Sequence, residues 1–137
     1  MGPARGETAL PTLLARLSPR LLPEAFVFCC IADGRYGDGS ELAPLAAFHE
    51  PEGLTLLLPV TRAAGTQWPA SPPMRCISLG VQSSLEAVGL TAAVASRLAE
   101  HGIAANVIAA FHHDHLFVPA ACADDALAVL RELSGEY

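Results

Sequence analysis

The first apolar pattern in the chain is four leucines, Leu10, Leu13, Leu14 and Leu17, spaced by three and four. With Pro11 where a first helical turn tolerates it, they predict a short helix ended by Ser18-Pro19. Phe26-Val27-Phe28-Cys29-Cys30-Ile31 is an unbroken apolar run and predicts a central strand covered on both faces. Asp33 to Ser40 is a turn cluster; it lacks the order of a phosphate-binding glycine loop. Leu45-Ala46-Ala47-Phe48 and Leu54-Thr55-Leu56-Leu57-Leu58 predict two further strands, joined through His49-Glu50-Pro51-Glu52-Gly53. A short helix is expected from Val60 to Ala64. The proline-rich stretch Gly65 to Pro73 marks the boundary between two halves, 1–72 and 73–137.

The second half is more regular. From Met74 to Val81, Ile77, Leu79 and Val81 share one strand face, while Cys76, Ser78 and Gly80 place small groups on the other. Ser83 followed by Glu86 is a capping-box pattern, which predicts a helix running to about His101. Its expected core face is Leu85, Val88, Ala92, Ala95 and Ala99, widened by Val94 and Leu98. Gly102 is expected as its left-handed cap. Asn106 to Ala110 and Leu116 to Val118 read as strands joined through His112-His113-Asp114. A last helix follows Pro119, with Asp124 and Asp125 near its positive end and a stripe of Cys122, Ala126, Val129, Leu130 and Leu133. The order β-α-β-β-α from Met74 to Leu133 is a ferredoxin-like half sheet lacking its last strand, and the first half supplies strands to enlarge it.

Composition narrows the function classes. At 137 residues the chain makes one compact domain or two very small ones. Apolar residues are 52% and charged residues 16%, enough for a core and too apolar for disorder. The net charge of −6 argues against nucleic acid as a partner, and the use of arginine for all eight positive charges carries no functional signal. No apolar stretch approaches the roughly 20 residues that span a bilayer. Met1 to Thr8 has no apolar signal core, and Gly6 stands where a myristoylation pattern wants Ser or Thr. A cytoplasmic protein without membrane association is expected.

Four cysteines, Cys29, Cys30, Cys76 and Cys122, lack the paired spacing of a zinc site and read as reduced packing groups. His112, His113, Asp114 and His115 are ligand types for zinc or iron. Strand alternation lets at most two of these imidazoles converge, so turn and edge-strand polar residues are the favoured reading and no metal or cofactor is expected. No nucleophile elbow is present, and no cysteine sits in a recognisable His and acid framework. Glu50 and Glu52 have no evident reason to line one cleft. An enzyme is not expected.

The residues also carry a family resemblance. Ser83-Ser84-Leu85-Glu86-Ala87-Val88-Gly89-Leu90-Thr91-Ala92, Gly102-Ile103 with Asn106-Val107-Ile108, and His113-Asp114-His115 with Phe117-Val118-Pro119 resemble a bacterial family of small tandem ACT-like proteins. Phe26-Val27-Phe28 and Glu52-Gly53-Leu54-Thr55 fit its first half. The C-terminal half is similar to the regulatory ACT domains of aspartate kinases and to related arginine sensors, which bind free amino acids at a domain or subunit interface. The resemblance implies an α+β, ferredoxin-like protein: tandem ACT-like halves with an antiparallel sheet and helices on one face. It also implies a ligand at the turn from the Val81 strand into the Leu85 helix, facing the Asn106 strand.

Physical chemistry supports the same place, because a helix N-terminus offers unpaired N–H groups and partial positive charge to a carboxylate. The candidate binding residues are Ser83, Ser84, Leu85, Glu86, Gly89, Asn106 and Asp114. Ser84, Leu85 and Glu86 would give backbone N–H groups, Gly89 close approach, and Asp114 a partner for an ammonium or guanidinium. The expected function is a non-enzymatic sensor or regulatory module for a small amino-acid-like ligand, acting as a homodimer. The alternative is a structural or protein-interaction module without a ligand, in which Ser83 only caps and Asp114 only closes a turn.

Overall fold

The computed structural model describes residues 6–137; the leader and lipid-attachment readings of Met1–Arg5 lie outside them. In chain order the elements are α1 (Leu10–Ala15), β1 (Pro19–Ala32), β2 (Ala46–Glu50), β3 (Gly53–Pro59), α2 (Val60–Ala63), β4 (Met74–Leu79), α3 (Leu90–Glu100), β5 (Asn106–Ala109), β6 (Asp114–Pro119) and α4 (Ala123–Gly135). The class is α+β and ferredoxin-like. The chain forms two compact units: the described residues up to Leu22 with Arg75–Tyr137, and Pro23–Met74. Strand β1 runs covalently through both.

In the first unit the start of β1, then β4, β6 and β5, lie side by side. Helices α1, α3 and α4 pack on one another, and α4 packs on β6. Their core joins Leu13 and Leu17 of the first helical segment to Ile77 and Leu79 of β4, Val94 and Leu98 of α3, Leu116 and Val118 of β6, and Leu130 of α4. Each fully buried leucine contributes about 1.5–3 kcal/mol over an exposed one. The leucine stripe before Ser18, the β4 alternation and the α4 stripe thus do what their spacing predicts. Ser134 of α4 donates its hydroxyl to the Leu14 carbonyl at 2.7 Å, reinforcing the 3.3 Å bond that this carbonyl accepts from the Leu17 N–H at the end of short α1. At the surface, Arg97 of α3 pairs with Glu136, one bond being 2.8 Å, and lies 3.7 Å from Glu100. The Arg97 hydrogen bond holds the Glu136 carboxyl below its ordinary value.

The second unit is built on β2, β3 and the later part of β1. The antiparallel register pairs Cys29 with Leu56 and Ala47 with Leu56 on its other side, so β3 is central. Val27, Cys29, Leu54, Leu56 and Leu58 form its core, with Trp68 packed against it. The proline-rich stretch, expected only as a boundary, is stitched onto β1. Ser71 donates its N–H to the Phe28 carbonyl at 2.9 Å, and its hydroxyl accepts the Phe28 N–H at 2.9 Å. Cys30 donates to the Pro69 carbonyl. Prolines lack a donor, so Ser71 supplies the bonds that its neighbours cannot.

Two expectations need correction. Strand β1 begins at Pro19, not near Phe26, because a strand partner rather than local apolarity orders its first part. Gly80 donates to the Ser18 carbonyl at 2.9 Å, and Arg75 donates to the Leu22 carbonyl at 2.7 Å. The helix expected from Ser83 begins instead at Leu90, with Gly89 as N-cap at φ 102°. Its buried face is Leu90, Val94 and Leu98, whereas Leu85 is 66% and Val88 84% exposed. Gly102 does follow its end in the left-handed region, at φ 69°.

Candidate functional site

Between β4 and α3, the chain from Gly80 to Gly89 has no regular helix or strand, and several of its polar groups already have partners. Ser84 donates its N–H to the Glu7 carbonyl at 3.0 Å, and Ala87 donates to the Ser84 carbonyl at 3.0 Å. The Glu86 N–H goes to the Ser84 hydroxyl at 3.0 Å. The Ser83 hydroxyl caps no helix; it donates to Asp114 Oδ2 at 3.2 Å. Two of the three backbone donors expected for an anion, those of Ser84 and Glu86, therefore already have partners. The helix end that faces this region is that of α3, opened by Leu90, Thr91 and Ala92. Gly89 has no side chain to cap them.

A cleft of about 150 Å³ lies here, lined by Ser83, Ser84, Leu85, Ala87, Gly89, Leu90, Thr91, Ala109 and Asp114. Ala109 and Asp114 are register partners at the end of the β5–β6 hairpin, which places the Asp114 carboxylate at the cleft. Of the expected residues, Ser83, Ser84, Leu85, Gly89 and Asp114 come together. Glu86 and Asn106 are not among the lining residues. Asn106 lies at the opposite end of β5 and donates from Nδ2 to the Phe117 carbonyl at 3.4 Å. Ala87, Leu90, Thr91 and Ala109 were missed. Gly89 itself was the available signal, since glycine is an accepted N-cap and points to a helix starting at Leu90.

The cleft sets the partial positive charge of a helix N-terminus against one carboxylate. That pairing suits a small molecule carrying an anionic and a cationic group. Its volume lies below the roughly 300–1,000 Å³ of sites for drug-sized ligands, which limits it to a small one.

The neighbouring imidazoles point to other tasks. His113 Nδ1 lies 3.3 Å from the Val81 carbonyl, and His115 Nδ1 lies 2.8 Å from the Ser78 hydroxyl. The His112 ring meets Phe111 edge-on at 5.0 Å. No group of three or more His, Cys, Asp or Glu side chains among the described residues is arranged to hold a metal. Cys76 Sγ lies 3.8 Å from the Ser78 hydroxyl, but the residue is buried and burial pushes its thiol pKa up. Burial raises the Cys29 thiol too, so both are poor nucleophiles. All four cysteines are free.

Burial also lowers the His115 pKa below 6.5; His113 lowers it further, and Asp114 partly opposes them. The unfolded chain therefore takes up a proton at His115 before the folded chain does. Stability from this group is full above about pH 6.5 and falls as pH drops below that value. The fall in melting temperature from pH 7 to pH 5 is expected to be shallower in His115→Gln than in the wild type, measured by thermal unfolding across that range.

An ACT-domain family profile matches residues 5–75, and a second ACT-domain profile matches residues 71–132. The chain belongs to the ACT-domain family, whose members are typically small-molecule regulatory binding modules. It is similar to a Vibrio cholerae protein of unknown function described as a possible transport protein. The identity is 47%, over 91% of this chain and 95% of that one, with a TM-score of 0.83. It shares its fold with an Agrobacterium tumefaciens protein at 18% identity, over 87% and 90% of the two chains, with a TM-score of 0.68. The regulatory subunit of aspartate kinase from Thermus flavus has the same fold at 12% identity, over 85% and 96%, with a TM-score of 0.59. No curated protein matches the chain in sequence. No helix among the described residues is long and apolar enough to cross a membrane.

Proposed function

We propose that this chain is a non-enzymatic sensor or regulatory module that binds a small, amino-acid-like ligand in the cleft at the start of α3. The observation that carries the reading is the cleft's polarity: the N-terminus of α3 at Gly89–Thr91 opposite the Asp114 carboxylate, in a space of about 150 Å³. The ligand carboxylate takes the N–H groups of the first turn of α3. Its ammonium takes Asp114, displacing the Ser83 hydroxyl that now donates to it. The Ser83, Ser84, Leu85 and Gly89 wall encloses it; Glu86 and Asn106 belong to the surroundings. The ACT membership and the aspartate kinase regulatory subunit among the structural relatives support a regulatory role.

The reading includes two ACT-like halves meeting near residue 72, a cytoplasmic location and a homodimer. Leu85, Val88 and Phe111 leave apolar surface on the loops flanking the cleft, 66%, 84% and 67% exposed, which supports association. A monomeric mass by light scattering at micromolar concentration would remove the dimer from the proposal.

The test of binding is thermal unfolding against the free amino acids at millimolar concentration. A ligand at 100 times its dissociation constant stabilises by about 2.7 kcal/mol. The expected result is a selective upward shift that Asp114→Ala abolishes without lowering the melting temperature of the unliganded protein by a comparable amount. A flat panel would leave a protein-interaction module without a ligand.

A further inference from the structure

Ser83-Ser84-Leu85-Glu86 has the composition of a helix start, yet α3 begins only at Leu90. The segment Gly6 to Leu10 lies against this stretch. Glu7 donates its N–H to the Gln82 carbonyl at 2.9 Å and accepts the Ser84 N–H at 3.0 Å, so Glu7 and Ser83 form a short parallel bridge. These two bonds tie residues 82–84 to the arm as one extended bridge and point the Ser84 N–H at Glu7. A Cβ on Gly6 would collide with the Ser83 carbonyl carbon and the Ser84 nitrogen, so a glycine there is what lets the two backbones meet. At the other end of the same wall, a Cβ on Gly89 would stand 3.1 Å from Leu10 Cδ2, which places the Leu10 side chain against the N-cap of α3.

The arm is itself fixed. Glu7 Oε1 accepts the N–H groups of Thr8 and Ala9, both at 2.9 Å, which turns the chain into α1. Leu13, Leu14 and Leu17 then enter the core of the unit. The strap is thus tied to the core at one end and bridged to the cleft wall at the other.

We propose that Gly6–Leu10 is a positioning strap of the ligand cleft, holding Ser83–Gly89 open as a wall and preventing it from coiling onto α3. When the bridge is broken, Ser83 can cap and Glu86 can complete the box. Residues that line the cleft are then drawn into the helix. The consequence for binding rests on the ligand reading above; the structural part does not.

The test uses the full chain with Gly6→Val, which forces the backbones apart, and with Glu7→Pro, which removes both the N–H given to Gln82 and the carboxylate that holds Thr8 and Ala9. Glu7→Gln, which keeps both backbone groups, is the conservative control. Amide exchange reads the unliganded protein. In both disrupting variants the Ser84 amide is expected to exchange at least about tenfold faster. The Val88 and Gly89 amides slow as they gain helical carbonyls, and far-UV helicity rises. Glu7→Gln keeps the wild-type pattern.

In the second arm, each variant is melted against the free amino acids at millimolar concentration. An amino acid that shifts the wild type is expected to bind Gly6→Val at least about tenfold more weakly, as the open form becomes the minor one. If no amino acid shifts the wild type, the ligand reading fails and the exchange pattern alone decides the strap. Unchanged Ser84 exchange in both variants overturns it. So does uniform loss of protection with no cooperative unfolding, which would make the arm part of the general core.

Discussion

Leu98→Ala is expected to lower stability by about 2–5 kcal/mol, and Leu85→Ala to change it by no more than about 0.5 kcal/mol. Both leucines lie on the stretch whose spacing predicts one long helix. Leu98 is fully buried in the core shared by α1, α3, α4 and the strands, so its truncation loses transfer energy and leaves a cavity. Leu85 is 66% exposed on the cleft wall and leaves no such cavity. For a chain of this length the first change moves the melting temperature down by about 7–17 °C. Equal losses at the two positions would contradict the helix start at Leu90 and restore the longer helix.

Gly89→Val is expected to cost about 1–3 kcal/mol and to remove ligand stabilisation as well. At φ 102° this residue sits where a β-branched side chain is strained whatever space surrounds it, and its Cβ would press on Leu10. It is also the N-cap of α3 and a lining residue of the cleft. The stability cost is read from denaturant unfolding of the unliganded protein. The binding loss is read as the missing thermal shift with the amino acid that stabilises the wild type. A variant with wild-type stability and an undiminished shift would show that Gly89 neither holds its backbone for a reason nor borders the ligand.

The two predictions meet in the segment where the sequence misleads. Ser83 and Glu86 have the residue types and spacing of a capping box, and Leu85 and Val88 continue a helical stripe. Local propensity therefore argues for a helix there. The bridge from Glu7 holds Gln82 and Ser84, Asp114 takes the Ser83 hydroxyl, and the Glu86 N–H goes to Ser84 and not to Ser83. Neither Glu7 nor Asp114 is close in sequence, so no window around Ser83 contains the reason for its conformation. The place of Asn106 is likewise set at a distance: the hairpin register puts Ala109 beside Asp114 and Asn106 beside Phe117.

Elsewhere periodicity was sufficient. Leu13, Leu14 and Leu17, the Ile77-Leu79-Val81 alternation, and Ala126, Val129, Leu130 and Leu133 are all buried as their spacing demands. Apolar burial is the largest favourable contribution and repeats with the period of each element, so it is written locally. The family resemblance is likewise carried by short contiguous motifs from Ser83 to Thr91 and from His113 to Pro119, and it points to the cleft region before any geometry does.

The amino-acid sequence alone thus determined the α+β class, the order of nearly all the elements, the ACT relationship, and five of the nine residues that line the cleft. The tertiary structure decided where α3 starts, that β1 extends back to Pro19, and which donors near the cleft are already taken. The division has a physical cause. Side-chain burial follows a repeat visible within a few turns or one strand. A backbone hydrogen bond depends on which distant segment supplies the partner, and only the assembled fold brings Glu7 to Ser84, Asp114 to Ser83 and Gly80 to Ser18.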